Sequence, residues 1–282
     1  MRLPASSASG CPGCSSRAAG RSANSTTFCL KSLCFAAAAG PFIFTYCKRE
    51  SDMLFVTGDV HADLRDFESR PFGRVKKEDF VVVCGDFGMI WDGSPEEKKT
   101  LEKLGKSKHP ILFVDGAHEN FDLLGSYPVE QWNGGDVQVV GGNVMHLMRG
   151  QVYTIDGKKV FTFGGGESED RDMREPGKGW WPQEIPNEEE MRTGIENLVA
   201  NDWQVDYIFT YEAPSSVRRM LVRDEGELNA FHVYLDHIRE KCRFARWIFG
   251  NYHCNKRLST SMDALYDDVI RLITDSDKKP RR

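Results

Sequence analysis

Five times in this chain a short apolar run ends in a small cluster of polar residues. Residues 53–57 lead into Gly58-Asp59-Val60-His61, and 79–84 into Gly85-Asp86-Phe87-Gly88. Residues 110–114 lead into Asp115-Gly116-Ala117-His118-Glu119-Asn120, 206–210 into Tyr211-Glu212-Ala213-Pro214, and 246–249 into Gly250-Asn251-Tyr252-His253. Short apolar runs bounded by turn formers read as buried strands. A glycine at the exit permits a sharp turn and close backbone approach. A chain with this repeat builds a sheet and brings its strand-end loops to one rim.

The segments between the runs support that reading. After the turn Asp92-Gly93-Ser94-Pro95, residues 96–104 form a charged amphipathic helix, with Ser94 as N-cap and Pro95 at the first helical position. Helices are also expected at 64–68, 188–199 and 228–241. Strands alternating with helices make an α/β fold. In the middle, 151–155 and 158–163 flank Asp156-Gly157, the signal of an antiparallel hairpin. Residues 167–190 are polar and irregular, with Gly177 and the pair Trp180-Trp181. Loops of this length inside a compact domain are functional or disordered, and the paired Trp argues for order. Residues 264–273 read as a last short strand or helix.

Residues 1–49 contain no Asp or Glu, six Lys or Arg, and many Ser and Ala. Residues 1–52 are therefore expected to be a disordered extension or a targeting segment, with the folded domain spanning 53–282. The domain carries 31 basic against 40 acidic residues, which implies no affinity for nucleic acid. It has no apolar run long enough to span a membrane, which needs about 20 residues. Five of the eight cysteines fall in the first 52 residues, and Cys84, Cys242 and Cys254 are scattered, so the spacing is not a disulfide framework. A cytoplasmic location is expected, with an organelle or export as the alternative if 1–52 acts as a targeting segment. Cys11-Pro-Gly-Cys14 has zinc-like spacing but lacks a second pair.

In α/β sheets ligands bind outside the carboxyl ends of the strands. Asp59, Asp86, His61, His118 and His253 converge there. Imidazole with carboxylate suits Zn, Mn or Fe rather than Ca, which takes oxygen ligands. Taken singly, a Gly-Asp at a strand end is a common turn and a lone His is a common hydrogen-bonding residue. The set of five points to a metal.

In this order and spacing, Gly58-Asp59-Val60-His61, Gly85-Asp86, Gly116-Ala117-His118-Glu119 and Gly250-Asn251-Tyr252-His253 resemble the calcineurin-like metallophosphoesterases. The resemblance implies a four-layer α/β/β/α sandwich with mixed sheets. It implies a two-metal centre that hydrolyses phosphomono- or diesters by an activated water. Carried over residue by residue, one metal takes Asp59, His61, Asp86 and His253, all present. The second shares Asp86 and adds three ligands of its own, at positions that here hold Ala117, Tyr211 and Asn251. Ala117 has no ligating atom, Tyr211 must lose a proton to ligate, and Asn251 offers only a neutral carbonyl. Tyr211 and Asn251 are expected to make weak second-metal contacts at most. His118, which the family uses beside the leaving group, is retained as the catalytic residue. Ala62 replaces a glycine of the first motif.

The expected function is a metal-dependent phosphoesterase with one Mn, Fe or Zn per chain, an intact first site, a degraded second site and low activity. The alternative is a catalytically dead pseudophosphatase that serves as a binding or scaffold module. The expected partner is a phosphorylated small molecule or phosphoprotein. Arg171 and Arg174 are candidate phosphate-binding residues, since guanidinium pairs with phosphate in a bidentate manner. The neighbouring Trp180 and Trp181 read either as pocket walls or as an apolar flap over the sheet.

Overall fold

The computed structural model describes residues 53–63, 72, 75–168, 170–222 and 228–272. The N-terminal segment 1–52 and the helix expected at 64–68 lie outside the described residues. The strands, in chain order, are β1 Leu54–Thr57, β2 Phe80–Cys84, β3 Ile111–Val114, β4 Val129–Trp132, β5 Gly135–Gly141, β6 Val144–Leu147 and β7 Gln151–Ile155. They continue with β8 Lys158–Phe163, β9 Tyr207–Thr210, β10 Arg246–Phe249, β11 Lys256–Arg257, β12 Met262–Ala264 and β13 Val269–Leu272. The helices are α1 Pro95–Gly105, α2 Phe121–Leu124, α3 Glu188–Ala200, α4 Ser215–Arg218 and α5 Ala230–Lys241.

Two mixed sheets result. One has the order β13-β1-β2-β3-β6-β5-β4, the other β11-β12-β10-β9-β8-β7. The strands that carry the site, β1, β2 and β3 in one sheet and β9 and β10 in the other, run parallel to their neighbours in that group. The expected tail element is a strand: β13 pairs antiparallel with β1. The hairpin forms as read, with β7 and β8 joined at Asp156 and Gly157, both at positive φ as this turn requires.

Alternation along each strand builds four layers. In β2, Val82 and Cys84 face the other sheet, while Val83 faces α1. Leu54, Val56, Leu112 and Val114 meet Tyr153, Ile155, Val160, Phe209 and Ile248 between the sheets. On one outer face Val83 and Phe113 pack on Leu101 and Leu104 of α1. On the other, Phe161, Phe163, Ile208, Trp247 and Phe249 pack on Leu198 of α3 and on Phe231, Leu235 and Ile238 of α5. Central strands buried on both faces must be apolar throughout, which is why they appear in the sequence as unbroken runs. The order is helix, sheet, sheet, helix, the four-layer sandwich expected.

The helix caps follow the sequence. Ser94 accepts from the Glu97 amide and Pro95 opens α1. Asn187 and Glu190 close a reciprocal capping box on α3. Among the described residues no helix is long and apolar enough to cross a membrane. Cys84 is fully buried between the sheets, and Cys254 is half-buried.

Candidate metal centre

The strand ends converge as the repeat implies. Asp59 and His61 follow β1, Asp86 follows β2, His118 follows β3, Tyr211 and Glu212 follow β9, and Asn251 and His253 follow β10. The turns that aim these side chains are tight. Nine non-glycine described residues have positive φ, and five of them are His61, Ala62, Asp86, Asn251 and His253. Each such backbone costs on the order of 1–2 kcal/mol, and strain of this kind collects at functional sites. Ala62, at φ 61°, takes the conformation that the glycine it replaces would adopt freely. Gly250 is needed for a different reason: a Cβ there would overlap the Asp59 carboxylate.

One half of the rim presents open donor atoms. His61 Nε2 and His253 Nε2 face each other at 3.1 Å, and His253 Nε2 lies 3.5 Å from Asp59 Oδ2. The Asp86 Oδ2 atom is 3.9 Å from His61 Nε2. Ligand atoms of Asp59, His61 and His253 all lie within 4.8 Å of one another, as do those of His61, Asp86 and His118. Both groups share His61. Burial, then the Asp86 charge, pushes the Asp59 carboxyl well above the usual range. Burial lowers His61 against the pull of Asp86, and the other two imidazoles add to the lowering. Burial also drives Asp86 up, but the His118 hydrogen bond and charge outweigh it and hold Asp86 low. Crowded carboxylates beside imidazoles are the donor set a transition-metal ion binds. These four residues fit the metal that the motif implies.

The other half is closed. Ala117 is buried and bears no donor. The buried Tyr211 hydroxyl donates to Asp86 Oδ2 at 3.0 Å. Burial first, then the charges of Asp86 and Asp59, hold that phenol protonated far past its ordinary range. Its ring fills the space over Gly85, where a Cβ would collide with it. Asn251 turns its side-chain amide away, donating to Glu212 Oε2 at 2.8 Å, while its backbone N–H donates to both Asp59 oxygens at 3.0 and 3.1 Å. Glu212, buried, also accepts from Tyr252 Oη and from the Ala213 amide, with His232 Nε2 3.6 Å away.

His118 stands where the halves meet. Its Nδ1 lies 2.7 Å from Asp86 Oδ2 and its amide donates to Asp86 Oδ1 at 2.8 Å. That contact, working against burial, raises the imidazole pKa. On the opposite ring nitrogen, Arg174 Nη2 approaches Nε2 to 2.9 Å. Of the two arginines expected at phosphate, the structure brings only Arg174 to the cluster. Arg171 turns to Glu167 and to Asp172, because these acids sit beside it on its own turn. Trp181 is the flap residue of the alternative reading: it is buried, its Nε1 donates to Asp122 at 2.9 Å, and it packs edge-on against Trp91 at 5.5 Å. A cavity of about 320 Å³ lies beside Ala62, lined by Gly88, Met89, Trp91, Asp92 and Ser94.

Sequence reasoning did not single out Glu212, His232 or Asp170 as partners of the site. Glu212 had a signal, since it follows Tyr211 in a strand-end cluster. Asp170 had one too, standing four residues before Arg174, while His232 had none, because only the tertiary fold brings it near.

Two mixed sheets in four layers gather carboxylates and imidazoles at the strand ends, in groups that could hold a metal ion. The sequence profile of calcineurin-like phosphoesterases matches residues 53–224, and the chain belongs to that family. No curated protein matches this chain. Among solved structures it is similar to the phosphopantetheinyl hydrolase from Mycobacterium tuberculosis, at 13% identity and a TM-score of 0.36, over 82% of this chain and 99% of that one.

Proposed function

We propose that this protein is a phosphoesterase that works with one metal ion, held by Asp59, His61, Asp86 and His253, and that the second site of the family is lost. The observation that carries the reading is the contrast at Asp86. On the open side Asp59, His61 and His253 gather ligand atoms within 4.8 Å of one another beside it, and on the other the Tyr211 hydroxyl and His118 Nδ1 already meet Asp86 Oδ2. The bound ion, Mn, Fe or Zn, supplies Lewis acidity, polarising a phosphoryl oxygen and easing deprotonation of the attacking water.

The protein's own groups do the rest. Asp86 fixes the His118 tautomer by accepting from Nδ1–H, so Nε2 is the atom that carries a proton to and from the reaction. In hydrolysis the bond from phosphorus to the alcohol oxygen breaks, with its electron pair on that oxygen. A bond from water oxygen to phosphorus forms. The proton released by the attacking water passes to His118 Nε2, and His118 gives it to the alcohol oxygen. Arg174 lies at the same nitrogen and contacts the phosphoryl group. The cavity beside Ala62 offers space for the alcohol part of the ester. A missing second cation lowers the rate by about 10³-fold or more, several kcal/mol in the transition state.

The test is metal analysis of the purified full chain after loading with Mn²⁺, together with turnover of p-nitrophenyl phosphate and bis-p-nitrophenyl phosphate. One metal per chain with slow turnover supports the reading. One metal with no turnover supports a binding module instead, and two tightly held metals overturn the ligand assignment.

A further inference from the structure

The closed half of the rim has lost its ligands for a second cation, but a positive charge still reaches it. Arg174 comes from the loop between β8 and α3, and it is anchored on two sides. Its Nη2 is 2.7 Å from Asp170 Oδ2, and its Nη1 donates to the Gly179 carbonyl at 3.0 Å. The loop is anchored in turn. Trp181 is tied to Asp122, Arg149 donates to the Gln183 carbonyl at 2.8 Å, and the Ser168 amide and hydroxyl both donate to Glu184 at 2.9 Å. The guanidinium therefore sits in a prepared position with no search of its own.

Its contact with His118 is chemically telling. Arginine only donates, so the N–H points at the Nε2 lone pair. A weak neutral acceptor holds an N–H of a permanent cation, at the atom where the reaction's proton must sit. A phosphoryl oxygen is a far better acceptor for that N–H.

Resting on the single-metal reading above, we infer that Arg174 takes the electrostatic role of the absent second cation and makes the substrate a phosphomonoester. When the phosphoryl group enters, the N–H leaves His118 Nε2 for a phosphoryl oxygen, and Nε2 is released to carry its proton. A monoester presents three unsubstituted oxygens, enough for one contact to the ion and a two-pronged contact to the guanidinium. A diester presents only two. Arginine keeps its charge at every working pH and matches phosphate with a planar fork, which lysine does not.

The experiment uses the Mn²⁺-loaded full chain and three readouts: metal stoichiometry, affinity for inorganic phosphate by calorimetry, and kcat/KM for the two nitrophenyl esters. Arg174→Met is expected to leave one Mn²⁺ per chain, to weaken phosphate binding at least tenfold and to lower monoester kcat/KM by about 10²–10³-fold. Arg174→Lys recovers part of the loss. In Arg174→Gly, added guanidinium chloride restores monoester turnover and leaves the wild type unchanged, a rescue that a purely structural role would not give. Phosphate affinity unchanged in Arg174→Met, with one metal bound, overturns this inference and leaves the single-metal reading intact. Two metals in the wild type overturn the single-metal reading, whatever Arg174 does. If the wild type does not turn over, the phosphate affinities decide alone.

Discussion

The two halves of the rim are built from the same kind of strand end, yet they end in opposite states. Around Asp59, His61 and His253 the imidazole nitrogens face each other and a buried carboxylate, on backbone held at positive φ. There the Asn251 backbone N–H reaches both Asp59 oxygens, and the two imidazoles meet each other. Around Tyr211 and Asn251 every side chain is completed from within: phenol to Asp86, amide to Glu212, and Tyr252 to Glu212. On the single-ion reading proposed above, the open half keeps imidazole nitrogens turned toward one another, and the closed half uses the corresponding positions for hydrogen bonds, with the Tyr211 hydroxyl on Asp86 where a second ion would sit.

The largest test breaks the open half. Asp59→Asn removes the charge that holds the ion, and Mn²⁺ content should fall from one per chain to near zero. Monoester turnover should drop by about 10³-fold, equivalent to roughly 4 kcal/mol. Metal analysis beside steady-state kinetics checks it, and retained metal would show that Asp59 is not a ligand.

Next in size is the support behind the closed half. Arg149 makes two bonds to buried Asp115, at 2.9 and 2.6 Å, and reaches Glu190 at 3.0 Å, which ties the Arg174 loop to the end of β3. Arg149→Met leaves a buried carboxylate unpaired and should cost about 3–5 kcal/mol in urea unfolding. The same pair gives a pH dependence. Burial alone would raise Asp115, but Arg149 and His146 win and hold it well below the usual carboxylate range. A lowered folded pKa contributes stability above the unfolded value of about 4, and that stability is lost as pH falls through the folded one. Urea midpoints measured from pH 6 to pH 2.5 should therefore fall more steeply in the wild type than in Asp115→Asn.

A third test reverses the comparison. The triple change Ala117→Asn, Tyr211→His and Asn251→His returns donors to the closed half. Bound Mn²⁺ should rise toward two per chain and turnover at least tenfold, about 1.4 kcal/mol. Two bound ions without faster turnover would mean that the loss of activity lies elsewhere. The smallest effect is expected at Ala62→Gly. Relief of the positive-φ alanine should stabilise the protein by about 1 kcal/mol, raising the thermal midpoint by a few degrees.

What the sequence revealed followed apolar continuity more than burial: β6 is buried throughout, but His146 breaks its apolar run. β2, β3, β9 and β10 were legible because both their faces are covered, so no polar residue interrupts the run. β4, β5 and β6 were not assigned. β4 is an exposed edge strand whose Glu130 and Gln131 carry no apolar alternation, and β5 begins and ends in glycine. The α1 start was legible from its Ser94 cap and Pro95, whereas the Asn187–Glu190 capping box that opens α3 was not used. That Asp59, His61, Asp86 and His253 converge was legible because strand-end position and donor chemistry coincide. The Arg174 contact with His118 joins residues 56 apart, and the Glu212 contact with Asn251 joins residues 39 apart. Pairings of that kind exist only in the folded chain, and no periodicity announces them. Asp115, in the cluster after β3 but not among the expected site residues, turns to His146 and Arg149.

The return of β13 to the edge of β1 sets the timing of assembly. Without it β1 has a single neighbour, and the Gly58 amide and Thr57 hydroxyl lose their acceptors on Tyr266 and Asp268. A nascent chain leaving the ribosome exposes Asp59 and His61 about 200 residues before that strand is made. His253 also arrives late. In chain order the frame around the strand-end cluster therefore closes only once β13 has been made, so a chain cut ahead of β13 would carry Asp59, His61, Asp86 and His253 without the strand that braces β1.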